Sequence, residues 1–304
     1  MYVGADFLVD RGRELYLSEV NTGVPAGATE FDLVHRARHG RRSGVFARIE
    51  SLSREAYGKS FREFIQGLPW LDELARLKIW MDGRGTPPDH PHPALRLEDK
   101  WVQYGLLSPR FPMAAALLWA GPGDEPARAL LERGRRLVFK PRLGRGGRGL
   151  AAIRRMKDLE ALNAPPRSGI LQAFIDSRIG PWAFSIRAAA FAGEFLGLFA
   201  SLARRSTSNH GIRFHVSPGD RFGLSYPGFR YETVRENSWE AELFFRGRIP
   251  RYLLPGIHIE RVADAEFRVP AAMLDDIRNT AAAVSRLYSR IDFETLPRSW
   301  AEGG

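Results

Sequence analysis

Two short apolar runs at the start of the chain, joined by a polar turn, constrain it more than any other stretch. Gly4-Ala5-Asp6-Phe7-Leu8-Val9 leads through a glycine-containing turn at 10–13 into Leu15-Tyr16-Leu17-Ser18-Glu19-Val20-Asn21. That pattern predicts a β-hairpin. Glu19 and Asn21 are two apart, so their side chains leave one face of the second strand. A register that sets Asp6 opposite them gathers two carboxylates and an amide oxygen. These are hard ligands of the kind that hold Mg2+ when phosphates complete the shell. The competing reading is an edge hairpin with a solvated acidic face.

A second segment bears on the choice. Leu137-Val138-Phe139 reads as a strand that runs into Lys140-Pro141. It is followed by Gly144-Arg145-Gly146-Gly147-Arg148-Gly149 and then Leu150 to Ile153, another strand. Glycines there bring conformational freedom without bulk, so backbone N–H groups can close on a polyphosphate. Of the 45 basic residues only five are lysines, namely Lys59, Lys78, Lys100, Lys140 and Lys157, so each lysine stands out. The net charge of +10 suits nucleic acid, ATP and acidic metabolites alike. Cysteine is absent, which excludes disulfides and thiolate metal sites. No run is long and apolar enough for a membrane span, and Met1-Tyr2 leads into the first strand without a signal-peptide pattern. The expectation is a cytoplasmic protein.

The remaining segments are read more coarsely. Thr22 to Thr29 is a small-residue loop. Glu30 to Arg42 predicts a helix, and Phe61 to Leu77 repeats apolar residues at helical intervals around Pro69. Asp82 to Pro93 reads as a loop whose His90 and His92 have no third histidine nearby to support metal binding. Helices are expected over Leu97–Leu107, around Ala114–Trp119 and over Glu125–Arg133, with a short one at Met156–Leu162. Ile170 to Asp176 predicts a strand, and 183–191 with 194–203 an antiparallel pair. Arg187 lies inside that apolar pair, a costly place unless an anion meets it. The order of 206–238 is not legible. Pro270 to Arg290 carries the clearest helical stripe, and 290–293 reads as the start of a strand.

Together these pieces resemble the ATP-grasp superfamily of ligases. Asp99-Lys100 is similar to the helix pair of that superfamily, Lys140-Pro141 with Gly144 to Gly149 to its phosphate loop, and Leu171 to Asp176 to its adenine hinge. Ser185-Ile186-Arg187 stands where the superfamily has Asp-x-Arg, so the acid is replaced, and Arg204 or Arg205 matches a later Arg. The closing magnesium motif is similar to Asp6-Phe7 and Glu19-Val20-Asn21-Thr22, then Pro25-Ala26-Gly27, with Val24 inserted. It stands first instead of last, so the chain resembles circularly permuted members. The implied fold is α+β, two subdomains enclosing a nucleotide. In that division 1–42 carries the metal hairpin as part of the C-terminal-type subdomain, and 43–98 is a reduced helical accessory region. Residues 99–175 are the nucleotide-binding subdomain. Residues 176–304 complete the metal and substrate subdomain and end in a helix beside the hairpin.

The resemblance implies roles. Asp6, Glu19 and Asn21 would hold Mg2+, two ions in all, with Asp292 a substitute for Asp6. Lys100 and Lys140 would bind ATP phosphates, and Arg145, Gly146, Gly147 and Arg148 would cover them. Gln172, Ala173 and Phe174 would line the adenine, with Ala173 and Phe174 meeting it by backbone, and Asp176 would take the ribose. Arg187 and Arg204, the latter in competition with Arg205, would stabilise the transferring phosphoryl group. The implied reaction activates a carboxylate as an acyl phosphate and joins it to an amine. An amino acid, a peptide or a polyamine all remain open as substrates, and a homodimer is among the expected partners. A degenerate relative that only binds nucleotide or a partner is the alternative. A basic nucleic-acid-binding protein ranks last, since aromatics are not interleaved with the Arg runs. No membrane partner is expected.

Overall fold

The computed structural model describes residues 1–23, 26–81, 83–88, 91–203, 211–225, 231–245 and 258–298. In chain order the chain forms β1 (Val3–Val9), β2 (Leu15–Thr22), α1 (Ala28–His39), α2 (Val45–Tyr57), α3 (Phe61–Gln66) and α4 (Leu71–Met81). A 3-10 turn at Pro93–Glu98 precedes α5 (Lys100–Leu107), β3 (Ala116–Leu118), α6 (Glu125–Glu132), β4 (Leu137–Pro141), β5 (Ala151–Ile153), α7 (Met156–Glu160) and β6 (Gly169–Ala173). The rest of the chain contains β7 (Arg178–Ile179), β8 (Trp182–Phe191), β9 (Glu194–Ala203), β10 (Ile212–Gly219), β11 (Gly223–Ser225), β12 (Tyr231–Asn237), α8 (Trp239–Phe245), β13 (His258–Pro270) and α9 (Ala271–Arg290).

Among the described residues these elements build two sheets. The larger has nine strands in the order β11-β13-β10-β9-β8-β1-β2, with β12 on β13 and β7 on β8. The hairpin β1–β2 therefore forms one end of that sheet, although the other strands all come from beyond residue 177. Alternation explains its two faces. Val3, Ala5, Phe7 and Val9 are buried in the core with Ile186, Ala188 and Ala190, and α9 covers them with Met273, Ile277, Ala281 and Val284. Asp6 and Leu8 leave the opposite face. The α9 stripe was expected from the sequence at that position. Its last turns reach the chain start, where Ser285 Oγ donates to the Met1 carbonyl at 2.7 Å.

The smaller sheet has four antiparallel strands in the order β3-β6-β4-β5. It has its own core of Trp119, Leu131, Leu137, Phe139, Ile153, Leu159 and Leu171. The helices α2, α3 and α4 form a third cluster with Tyr2, Phe191 and Phe244.

Three expectations are corrected. Ala114–Trp119 is not helical: Ala116 to Leu118 pair with Gln172 to Ile170, and sheet closure overrides the alanine-rich composition. Residues 290–293 do not start a strand; Asp292 accepts from the Glu294 N–H and caps a 3-10 turn at Phe293–Thr295. The helix expected over 97–107 is split at Asp99, which caps α5 by accepting from Trp101 N–H at 2.9 Å. Among the described residues no helix is long and apolar enough to cross a membrane.

Candidate functional site

Register places the polar face of the large sheet. Asp6 lies opposite Glu19 on β2 and opposite Arg187 on β8, so three charged side chains form one row across adjacent strands. Arg187 holds Asp6 by a bidentate pair, Nε to Oδ1 at 2.6 Å and Nη2 to Oδ2 at 2.5 Å. Asn21, two residues beyond Glu19, donates its Nδ2 to Asp6 Oδ2 at 3.3 Å. The row continues through Phe199, opposite Arg187, and the neighbouring pair Ser185 and Ser201 leads to Arg213 on β10.

β2 is the last strand of its sheet, and its open edge is covered by side chains. Gln103 accepts from Val20 N–H at 3.0 Å and donates to the Val20 carbonyl at 2.7 Å, as a neighbouring strand would. The Leu17 N–H donates to the Pro112 carbonyl at 2.8 Å. Glu98 accepts from the Thr22 N–H and hydroxyl and is held by the buried Lys78 at 2.9 Å. The metal-type residues are thus fixed from behind.

The small sheet supplies the facing wall. A cavity of about 540 Å³ separates the two, a volume typical of small-molecule sites. Asp6, Glu19 and Asn21 line it from one side. Lys100, Lys140, Arg145 to Arg148, and the strip from Gln172 to Asp176 line it from the other. Lys100 ties the walls together, lying 3.4 Å from Glu19 Oε1 and donating to the Gly144 carbonyl at 2.8 Å. It is set there by Asp99, whose carboxylate takes Arg142 Nε at 2.9 Å and Nη2 at 2.8 Å. Lys140 Nζ reaches Ser18 Oγ at 3.3 Å. Gly146 and Gly147 are both left-handed, with φ of 64° and 72°, a conformation that costs glycine little and turns successive N–H groups. At Gly149 an added Cβ would come within 2.7 Å of Pro141 Cγ.

Lysine, arginine and carboxylate side chains lie side by side in this cavity. Burial pushes Glu19 up, but Lys100, Lys140 and Arg187 outweigh it and hold the group below its usual range. Burial brings Lys140 down to about 8, although Glu19 opposes this. Desolvation works against the charge on Arg187, but Asp6, Glu30 and Glu19 overcome it and raise its pKa.

The hinge strip differs from the expectation in its details. The Ala173 N–H donates to the Ala115 carbonyl at 2.8 Å and the Phe174 N–H to the Arg136 carbonyl at 2.9 Å. These two donors are therefore spent within the sheet. The Gln172 side chain is turned to the Ala114 carbonyl at 3.1 Å, and the Phe174 ring lies under the Arg136 guanidinium at 4.6 Å. Asp176 is surrounded by Arg178 at 2.5 Å, Arg11 at 2.9 Å and Arg136 at 3.4 Å. The hydrogen bonds from Arg178 lead in holding its pKa down to about 2. A ribose hydroxyl would compete with guanidiniums for those oxygens.

Arg204, Arg205 and His90 lie outside the described residues. His92 caps the turn at 93–98 by accepting from Ala94 N–H, and Asp292 caps its own turn; neither lines the cavity. Arg213 and Glu30 are among the lining residues that were not singled out from the sequence. The signal for Arg213 was present: Ile212, Phe214 and Val216 are buried, alternating with Arg213, His215 and Ser217. Among the described residues, no three His, Cys, Asp or Glu side chains cluster as a metal site, and the candidate donor set is two carboxylates with one amide. No protein-family model, curated protein or solved structure matches this chain.

Proposed function

We propose that this chain is an ATP-grasp-type ligase, in circularly permuted order, which activates a carboxylate with ATP and joins it to an amine. The observation that carries the reading is the single cavity onto which the opening hairpin and the glycine loop converge, bridged by Lys100 between Glu19 and Gly144. One wall offers hard oxygen donors and the other offers lysines and turned N–H groups. A metal-bound polyphosphate needs both.

Asp6, Glu19 and Asn21 fit Mg2+ by their chemistry, and in that role they would hold it against the phosphates. When bound, the ion supplies charge neutralisation on the transferring phosphoryl group. Lys100 and Lys140 act as point charges on the phosphates, and the segment 145–148 covers them. Arg187 stabilises charge that develops as the phosphoryl group moves. A substrate carboxylate oxygen attacks the γ-phosphorus, the bond to the ADP oxygen breaks, and an acyl phosphate forms. An amine nitrogen then attacks its carbonyl carbon, and inorganic phosphate departs.

The test is ATP-dependent hydroxamate formation from hydroxylamine with pooled amino acids, dipeptides and short dicarboxylates. Wild-type protein should give a hydroxamate and ADP in equal amounts, and Glu19→Gln should lower both at least about a hundredfold, the scale of losing a charge aimed at the transition state. Nucleotide binding without any hydroxamate would support the second reading, a nucleotide-binding protein without turnover. The bidentate hold of Arg187 on Asp6 favours that alternative, because it engages both oxygens of a would-be ligand.

A further inference from the structure

Glu30 opens the first turn of α1 and lines the same cavity. It is 4 % exposed, yet its Oε2 has no hydrogen-bond partner among the described residues. Its neighbour Glu240 is different. That carboxylate accepts from Tyr2 Oη at 2.9 Å, from Thr29 N–H at 3.1 Å and from the Thr29 hydroxyl. One acid of the pair is therefore saturated, and the other keeps a buried oxygen with no hydrogen-bond partner among the described residues. The first turn of α1 is pressed against the charged row, since a Cβ at Gly27 would sit 3.2 Å from Arg187 Cδ.

A buried carboxylate oxygen without a partner is costly unless a donor arrives to meet it. Burial and Glu240 push the Glu30 carboxyl upward, while Arg213 and Arg187 pull it down. A group so placed is a stronger base than a solvated glutamate. An ionised carboxylate is an acceptor only, so what it awaits is an N–H or O–H donor. A cationic donor also offsets the repulsion from Glu240, which a neutral hydroxyl or thiol does not.

Within the ligase reading above, on which this step rests, we infer that Glu30 is the catalytic residue for the second substrate: its carboxylate binds the ammonium group of an incoming primary or secondary amine and takes its proton. The freed nitrogen lone pair attacks the acyl-phosphate carbon, and the C–N bond forms. The carbon–oxygen bond to phosphate then breaks, and the second nitrogen proton leaves with phosphate as the monohydrogen ion. Glu30 returns its proton to solvent when the amide departs. The nucleophile is thus assigned as an amine, and water or a thiol is not the intended acceptor.

The experiment compares two products in the same protein sample. One is the hydroxamate, formed from pooled carboxylates and hydroxylamine, a nucleophile already unprotonated at neutral pH. The other is the amide formed when putrescine and spermidine replace hydroxylamine, read by mass spectrometry. For Glu30→Gln, amide formation should fall about 10²- to 10⁴-fold, the usual contribution of a general base, with hydroxamate formation falling less than about tenfold. Glu30→Asp should recover part of the amide rate. Equal losses in both products would make Glu30 a part of the fold or of the ATP step, and would overturn the inference while the ligase reading stood. Undiminished amide formation by Glu30→Gln would do the same. No hydroxamate from the wild type would remove the ligase reading itself, and this inference with it.

Discussion

Asp6 and Arg187 face each other on neighbouring strands although they lie 181 residues apart in the chain, and two short hydrogen bonds join their carboxylate and guanidinium. The pair welds the opening hairpin to β8. Arg187 also adds, after Lys100 and Lys140, to the positive charge that holds the Glu19 carboxyl below its usual range. Removing one partner leaves the other charged and mostly desolvated, which costs more than the pair itself contributes.

Asp6→Asn should therefore destabilise the protein by about 2–3 kcal/mol, as expected for a buried charge that loses its partner. The double variant Asp6→Asn with Arg187→Met should be less destabilised than the sum of the two single changes. Urea denaturation of the four proteins measures this coupling. Additive losses would mean that the two side chains do not depend on each other.

Lys78 and Glu98 form a second pair, deeper and away from the cavity, with side chains 1 % and 4 % exposed. Burial pushes the Lys78 pKa down, and Glu98 works against that. Because Glu98 also accepts from Thr22, the pair sets the end of β2, one residue beyond Asn21. Lys78→Met should cost about 3–5 kcal/mol, the range for breaking a buried pair. It should also weaken Mg2+-dependent nucleotide binding, measured by titration calorimetry on the fraction that remains folded. A variant with wild-type stability and affinity would show that the pair does not hold the strand end.

Much of this arrangement could be read from residues close together in sequence. The hairpin follows from period-two alternation around a polar turn, the glycine loop from its position after a strand, and α9 from its apolar stripe. What could not be read depends on distant partners. Ala114–Trp119 has a composition that favours helix, and only pairing with β6 makes it a strand. Glu30 reads as an ordinary acid in the first turn of a helix. Its burial comes from packing near Glu240, far along the chain, and from the sheet that carries Arg187 and Arg213. The spent N–H groups of Ala173 and Phe174 follow from Ala115 and Arg136, which no local pattern brings to the hinge.

Lys140 gives a pH-dependent prediction. Desolvation, opposed by Glu19, lowers it from 10.5 to about 8 in the folded protein, while the unfolded chain keeps the ordinary value. Between about pH 8 and 10.5 the unfolded state binds more protons, so this residue makes stability rise with pH across that window. Below pH 8 both states are protonated, and the full cost of the buried ammonium is present. A triphosphate beside Lys140 favours its charged form, so binding near pH 8.5 should take up a sizeable fraction of one proton. Calorimetric titration of an ATP analogue in buffers of different ionisation enthalpy measures that uptake. It should disappear in Lys140→Met and shrink as the pH is lowered to 7, where Lys140 already carries its proton. Uptake that persisted in Lys140→Met would assign the proton to another group, and Lys140 would lose its place against the phosphates.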